Sequence, residues 1–540
     1  MPKSSLSRFL LFSILFSLFL YSCSADGIPG VVTITPPPPT PGPATQTPFA
    51  LASPLPDVTL STATPVIATA TVSSPHFDSQ NGGTEGGGLP LYVIDASMDY
   101  ETKLVDVTQE ITYPNPSADS LSSIVLAVEP NLLENVFHLA SVSADGQKIE
   151  TFTLAGQRLE VTLPSALAPG ATLKLALAYS LTLPIIEQGD PNVVRPRIFG
   201  VAERQVNLVD WYPFIVPYKP DGVVPSERSA AGTTPAALPG TGWVLHKPWY
   251  YGEHLVYDKA DFDVTLHFKS SKDLPVVAAS APAEPVSDGA RYRLDNARDF
   301  SFSMGRQLKV ISRQIEGGVT VYSYYLGDWN KPAAQAVLDA TVKAVQTYSA
   351  LFGPYPHKTL SAVEGDFADG MEFDGLYFLT AYNLYDQTEK NLMTTIAVHE
   401  TAHQWWFGRV ANDQAQEPWL DETLATYCER LFYEKNYPAD VNWWWDFRIN
   451  QYKPIGSVDT ILYNGGGFRP YTNAVYFVGA YFLNALRKQI GDDAFFAFLK
   501  DYSAQMDGKI AAADDFFRIL RTHTDQDISG LVGKYFLNAH

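Results

Sequence analysis

His399-Glu400-Thr401-Ala402-His403 is the stretch on which the reading of this chain turns. It lies in Asn391–Phe407, a segment whose composition predicts a helix bounded by Gly408. Each helical residue turns by about 100°. His403 therefore projects about 40° round from His399, one turn further along. Both imidazoles leave one face and can reach a single ion at about 2.0–2.1 Å, the usual zinc–nitrogen distance. Glu400 projects about 100° from His399. That is too far round for a third ligand from this helix, but it is the place of a general base acting on water beside the ion. The chain has 10 His, and no other pair has this spacing on a predicted helix.

Catalytic zinc usually takes three protein ligands and leaves one position for water. The next candidate is Glu422, in Trp419-Leu420-Asp421-Glu422-Thr423-Leu424-Ala425-Thr426-Tyr427, with eighteen residues between it and His403. The gap accommodates a helix end, the loop Arg409–Glu417 and the first turn of a helix predicted over Pro418–Tyr433. A solvated acid at a helix N-terminus is the plainer account of Glu422, and the two His favour the ligand. Glu429, two helical turns on, either orients a ligating His from behind or is a surface acid.

Around this core the helical half continues. Pro332–Leu351 is rich in Ala and Val at helical spacing and stops at Gly353-Pro354. Leu360–Glu364 reads as a strand, and Asn473–Ile490, Asp492–Tyr502 and Asp514–Thr522 read as helices. Upstream, Leu104–Tyr113, Arg158–Leu163 and Phe262–Phe268 alternate apolar and polar residues between turn clusters such as Ala144-Asp145-Gly146. That pattern predicts an antiparallel β-sandwich or barrel. The expected chain is multidomain: a β-sandwich at 91–312, then a mostly helical α+β domain at 313–540.

The first residues point to export. Lys3 and Arg8 precede the apolar run Phe9–Leu20, which is shorter than the ~20 residues a spanning helix needs. Leu20-Tyr21-Ser22-Cys23 resembles a bacterial lipobox, so 1–22 reads as a lipoprotein signal peptide and Cys23 as a lipidated membrane anchor. An ordinary cleaved signal with an incidental Cys is the alternative; both predict an extracytoplasmic protein. Residues 23–90 read as a Pro/Thr-rich stalk. Between Asp26 and Pro90 there is no Lys or Arg but 13 of the 39 prolines, too many for a packed core.

Composition narrows the function classes. Of 540 residues, 46% are hydrophobic and 18% charged, which is a globular balance. Lys and Arg total 38 against 58 acids, a formal charge of −20, which argues against a nucleic-acid partner. Two Cys exclude a disulfide-stapled scaffold and a Cys-based metal site. Cys428, inside a predicted helix, reads as a buried structural thiol.

His-Glu-x-x-His followed after eighteen residues by Glu resembles the gluzincin metallopeptidases, specifically the aminopeptidase N family. His403-Gln404-Trp405-Trp406-Phe407-Gly408, Trp419-Leu420-Asp421-Glu422 and Phe352-Gly353-Pro354-Tyr355-Pro356 are similar to family segments, and the likeness is strongest over 350–480. The resemblance implies a thermolysin-like catalytic domain, one Zn2+ per chain held by His399, His403 and Glu422, and Glu400 as catalytic base. Asp369-Gly370-Met371-Glu372-Phe373 lies where the family usually has Gly-Ala-Met-Glu-Asn. The resemblance makes Gly370, Met371 and Glu372 substrate-binding, with Glu372 on the peptide's free amino terminus; Asp369 and Phe373 are departures. Val475-Tyr476-Phe477-Val478-Gly479-Ala480 resembles the segment whose Tyr steadies the oxyanion, so Tyr476 takes that role, with Tyr471 a weaker candidate. The family often adds a second amine-binding acid from its sandwich. Glu203 is the nearest acid there and is left unassigned. Trp211, Tyr212, Trp249 and Tyr250 either floor a cleft or fill the sandwich core. Larger members carry a further helical domain, so a chain ending at His540 is expected to be a short form with a more open cleft. The expectation is an exported, membrane-anchored zinc aminopeptidase acting on peptides. The alternatives are a zinc endopeptidase tolerating blocked amino termini and a non-catalytic cell-surface binding protein.

Overall fold

The computed structural model describes residues 88–187, 197–219, 242–270, 272–367, 370–380 and 388–538. The expected signal segment, Cys23, all but the end of the stalk, and Asp369 lie outside these residues.

The first half is built from an eight-stranded sheet and two four-stranded sheets around one apolar core. The alternation read in Leu104–Pro114 decides which side faces that core: Val105, Val107, Ile111 and Tyr113 are buried, while Asp106, Thr108 and Glu110 are exposed. Gln109 is the polar exception. Its amide donates to the Pro213 carbonyl at 2.7 Å and accepts from the Tyr179 hydroxyl at 3.0 Å, which satisfies it inside the sheet. Leu91–Asp99 pairs antiparallel with Leu104–Pro114 but parallel with Ala260–Phe268. The sheet is therefore not wholly antiparallel. Alternation sets the buried face of a strand but not the direction of a neighbour that returns after a long excursion.

A second, five-stranded sheet runs in the order Leu308–Gln314, Thr320–Leu326, Thr359–Glu364, Leu376–Leu379, Met371–Phe373. The change of texture expected at 313 falls inside the first of these strands. That strand is hairpin-paired with Thr320–Leu326 and belongs to the second sheet. Three helices pack behind it: α1 (Lys331–Phe352), α2 (Leu392–Ala402) and α3 (Trp419–Asn436).

Helix α2 ends sooner than its sequence predicts. The apolar run Trp405-Trp406-Phe407 leaves the helix because tertiary contacts outweigh propensity there. The Gly408 N–H donates to the His403 carbonyl at 2.8 Å, and the Phe407 N–H donates to the Val410 carbonyl at 2.9 Å. Phe407 itself sits at φ 141°, a region that non-glycine residues rarely occupy. Its ring inserts into the sandwich core, edge-on to Tyr257 at 5.9 Å. Further on, Asn473–Val478 forms a wide π-type turn before the helix Gly479–Ile490. Gly479 is required: a Cβ there would lie 2.1 Å from the Thr423 hydroxyl on α3.

Arg298 ties the two halves together. It is 2% exposed, and its guanidinium donates to the carbonyls of Tyr257, Gly408, Arg409 and Lys509 at 3.0–3.2 Å. Burial lowers its pKa to about 10 against the pull of Asp258 and Asp374. Arg298→Met removes every one of these donors and leaves buried carbonyls unpaired. We expect a loss of about 3–5 kcal/mol, read as an earlier urea-unfolding midpoint. Arg298→Lys should recover only part of it, because an ammonium cannot span the fork of acceptors. A midpoint unchanged in Arg298→Met would remove this residue from the account. Cys428 is buried, accepts from the Trp406 indole N–H at 3.2 Å, and has its pKa raised by burial. It should resist thiol reagents in the folded chain and react after guanidinium unfolding, as read by peptide mapping.

Candidate active site

Asn391 starts α2 with an extended backbone, and its side-chain oxygen accepts from the Thr394 N–H at 2.7 Å. The helix is then buried nearly all round, held between α1 and α3. This fixes which face carries His399 and His403. Glu422 comes from the first turn of α3.

His399 Nε2 and His403 Nε2 are 3.1 Å apart, and Glu422 Oε2 lies 3.2 Å from the first and 3.5 Å from the second. One ligand atom from each of the three lies within 4.8 Å of the others. The other ring nitrogens are engaged. His403 Nδ1 meets the Trp406 carbonyl at 3.0 Å, and His399 Nδ1 meets Glu429 Oε1 at 2.9 Å. A proton on each Nδ1 leaves both Nε2 lone pairs aimed at the same point. Two imidazoles and a carboxylate are the donor set of catalytic zinc.

The electrostatics agree. Burial disfavours charge on His399, yet hydrogen bonds to Glu422 and Glu429 hold its pKa up to about 9. Burial likewise opposes charge on His403, and Glu372 and Glu422 hold it well above the ordinary value. Burial would push Glu422 up, but both imidazoles hold it far below the carboxylate range. The pocket thus draws positive charge towards the point where the three residues meet.

Glu400 is buried, and burial raises its pKa to about 8 against the pull of His399 and His403. Its Oε2 has no hydrogen-bond partner, a rare condition for a buried carboxylate oxygen. That oxygen suits a site completed by an ion and its water. Gly370 lets the edge strand lie against this acid, since a Cβ there would sit 2.3 Å from Glu400 Oε1. In that strand Glu372 accepts from the Gln414 amide at 3.2 Å and forms, with Glu400 and His403, a second cluster within 4.8 Å.

Tyr476 lies flat over His399, with ring centroids 5.9 Å apart and 7° between planes. Burial and then Glu422 raise its pKa well above the ordinary value, so it keeps its phenolic proton. It lines a cavity of about 260 Å³ with the three ligand candidates, Glu400, Glu372, Gly370 and Met371. Tyr471 is buried but is not in that lining.

Several other residues fall where the sequence left them open. Glu429 is not a surface acid. It is 0% exposed, bonded to His399, to the Trp444 indole at 2.9 Å and to the Arg448 guanidinium at 3.0–3.2 Å. Burial pushes it up, but Arg448 and His399 hold it below its ordinary value. Phe373 is not in the cavity lining; it lies edge-on to Phe378 at 6.0 Å in a core that spans both halves. Trp211 and Tyr212 fill the sandwich core. Glu203 is exposed, whereas Glu253, which the sequence reading missed, lines the cavity with Glu372. Its one signal was Gly252, at φ +64° in an aromatic loop, where a Cβ would meet Leu462 at 2.5 Å.

Comparison with known proteins follows the same lines. Residues 336–535 match the Peptidase family M1 domain. The chain is 26% identical over 307 residues to aminopeptidase N of Lactobacillus delbrueckii subsp. lactis, covering 51% of this chain and 35% of that protein. It is 30% identical over 208 residues to endoplasmic reticulum aminopeptidase 1 of Mus musculus, covering 35% and 22%. The matched part spans about a third or less of these relatives' own length. Among solved structures, the M1 zinc metallopeptidase from Deinococcus radiodurans superposes with TM-score 0.57 at 20% identity, covering 84% of this chain and 95% of that one. A mutant of it bound to a Tyr-Ser-Ala substrate gives TM-score 0.56 at 19% identity, covering 83% and 94%. At such identities the likeness carries the fold. Residues 336–535 therefore match the Peptidase family M1 domain, in a chain similar over part of its length to aminopeptidase N.

Proposed function

We propose that the chain is an exported zinc aminopeptidase that removes N-terminal residues from peptides. The observation that carries this is the unpartnered, buried Glu400 oxygen beside His399, His403 and Glu422, in one cavity with Glu372. Zinc held by those three ligands, one ion per chain, supplies Lewis acidity that polarises a carbonyl and makes water a nucleophile near neutral pH. Glu400 takes the proton of the attacking water and delivers it to the leaving amine. Tyr476 donates its retained proton as a hydrogen bond to the developing oxyanion. Glu372 faces the substrate ammonium, with Glu253 in the same lining. Gly370 and Met371 flank the bound residue. The apolar run before Cys23 supports export and attachment through lipid on Cys23, on the extracytoplasmic side of a membrane. Among the described residues no helix is long and apolar enough to cross one.

Glu429 tunes the centre from behind. Its charge, bound to His399 Nδ1, raises the basicity of that imidazole.

Glu400→Gln should lower kcat by about 10²–10⁴-fold while metal analysis still finds zinc; full activity in that variant would refute Glu400 as the base. Glu429→Gln should weaken zinc binding about 10–100-fold in a competition titration against a chelator. Acetylating the peptide's amino terminus removes the charge that Glu372 meets. It should cut kcat/KM by roughly 30-fold or more, the counterpart of about 2 kcal/mol for a broken buried charge pair. Equal cleavage of blocked and free peptides would instead mark an endopeptidase. Absence of zinc from the purified chain, together with absence of hydrolysis, would mark a binding protein.

A further inference from the structure

The cavity wall carries two cations, Arg448 and Arg469. They are not equivalent. Arg448 is committed to Glu429 through its Nε and Nη2. The Arg469 side chain makes no ion pair or hydrogen bond among the described residues, and its backbone carbonyl serves its own short helix. Its guanidinium instead lies over the Tyr452 ring, 4.8 Å from the centroid. Tyr452 stacks in turn on Phe477, with centroids 5.0 Å apart and 20° between planes, and Arg448 covers Phe477 at 5.3 Å. Through this layer Arg469 is joined to the groups beside His399, whereas Glu372 clusters with His403 and Glu400. The cavity wall thus holds the carboxylates of Glu253, Glu372, Glu400 and Glu422 and, on the Tyr452 ring, a guanidinium with no counter-ion among the described residues.

A guanidinium stacked on an aromatic ring is held in place with its donors free. With no carboxylate partner among the described residues and four acids in the same lining, it is open to an anion. Resting on the aminopeptidase reading above, we propose that Arg469 receives a carboxylate of the peptide substrate. The substrate class is then a peptide that presents an ammonium to Glu372 and a carboxylate to Arg469. That carboxylate is either the C-terminus of a short peptide or an acidic side chain, and both make the same planar, two-oxygen contact.

The test uses the full chain loaded with zinc. Hydrolysis of a leucine-led peptide series, two to five residues long, is compared as free acid and as C-terminal amide. A parallel amidated series carries Glu at each position in turn. The wild type should favour the carboxylate-bearing member by about tenfold or more in kcat/KM, mainly through KM, as a charged hydrogen-bonded contact of about 1.5 kcal/mol would give. Arg469→Met should bring that ratio close to one, and Arg469→Lys should restore part of it. A preference confined to one length of free acid identifies the terminal carboxylate; a preference for an amidated Glu peptide identifies a side chain. A wild type indifferent to both, or an Arg469→Met chain that keeps the preference, overturns the proposal. The Glu400→Gln chain separates this from the activity itself, because calorimetric binding of trialanine, its amide and an amidated Glu peptide reads Arg469 without turnover. Binding that favours either carboxylate-bearing peptide through Arg469, in a protein whose wild type hydrolyses nothing, would sink the aminopeptidase reading and leave this one standing. Equal binding of all three would sink this one alone.

Discussion

Three electron-pair donors are forced together in a place with little water, and most of the second half of the molecule exists to hold them there. Left alone, two imidazoles and a carboxylate at 3.1–3.5 Å would rearrange or be solvated. Here they cannot. Helix α2 is locked at its start by Asn391 and at its end by the turn through Gly408. Helix α3 is pinned against the Gly479 turn at a separation that admits no side chain. Glu429, Trp444 and Arg448 then fix the ring of His399 from behind. The stability lost by burying so many polar groups is offset by the large aromatic core around them.

The same crowding divides the labour among acids of one chemical type. Glu422 and Glu429 each touch a cation and are held ionised. Glu400 has no such contact on its second oxygen and is pushed towards neutrality, where it can both accept and return a proton. Asp421, next to Glu422 in sequence, is raised well above its ordinary value by burial and by that neighbour, and serves the Gln414 amide instead. Environment, not residue identity, separates the proposed ligand, the proposed base and the scaffold.

What the sequence made legible follows the range of each constraint. His399, His403 and Glu400 were readable because helical periodicity places them within one turn, and Glu422 because one loop length separates it from them. Gly370 and Glu372 needed the family likeness, since nothing in a short strand shows which cavity it borders. Tyr476 needed it too, one tyrosine among 29. Glu253 and Arg469 were invisible. Each reaches the cavity from a loop or a single turn, and only three-dimensional packing shows that Arg469 has no counter-ion among the described residues. The sandwich alternation gave faces but not directions, so the parallel pairing of Leu91–Asp99 was out of reach. The early end of α2 was missed because Phe407 is drawn out of the helix by a pocket in another part of the chain.

That last residue has a wider meaning. Phe407 leaves the helix of His399 and His403 and roots its ring in the sandwich, while Arg298 reaches back from the sandwich to the same bend. The amino-terminal half is therefore a keystone for the chemistry and not a detachable accessory. A second half cut away from it would expose an aromatic side chain to water and strand the peptide oxygens of Gly408, Arg409 and Lys509, slackening the exit of the very segment that carries both histidines.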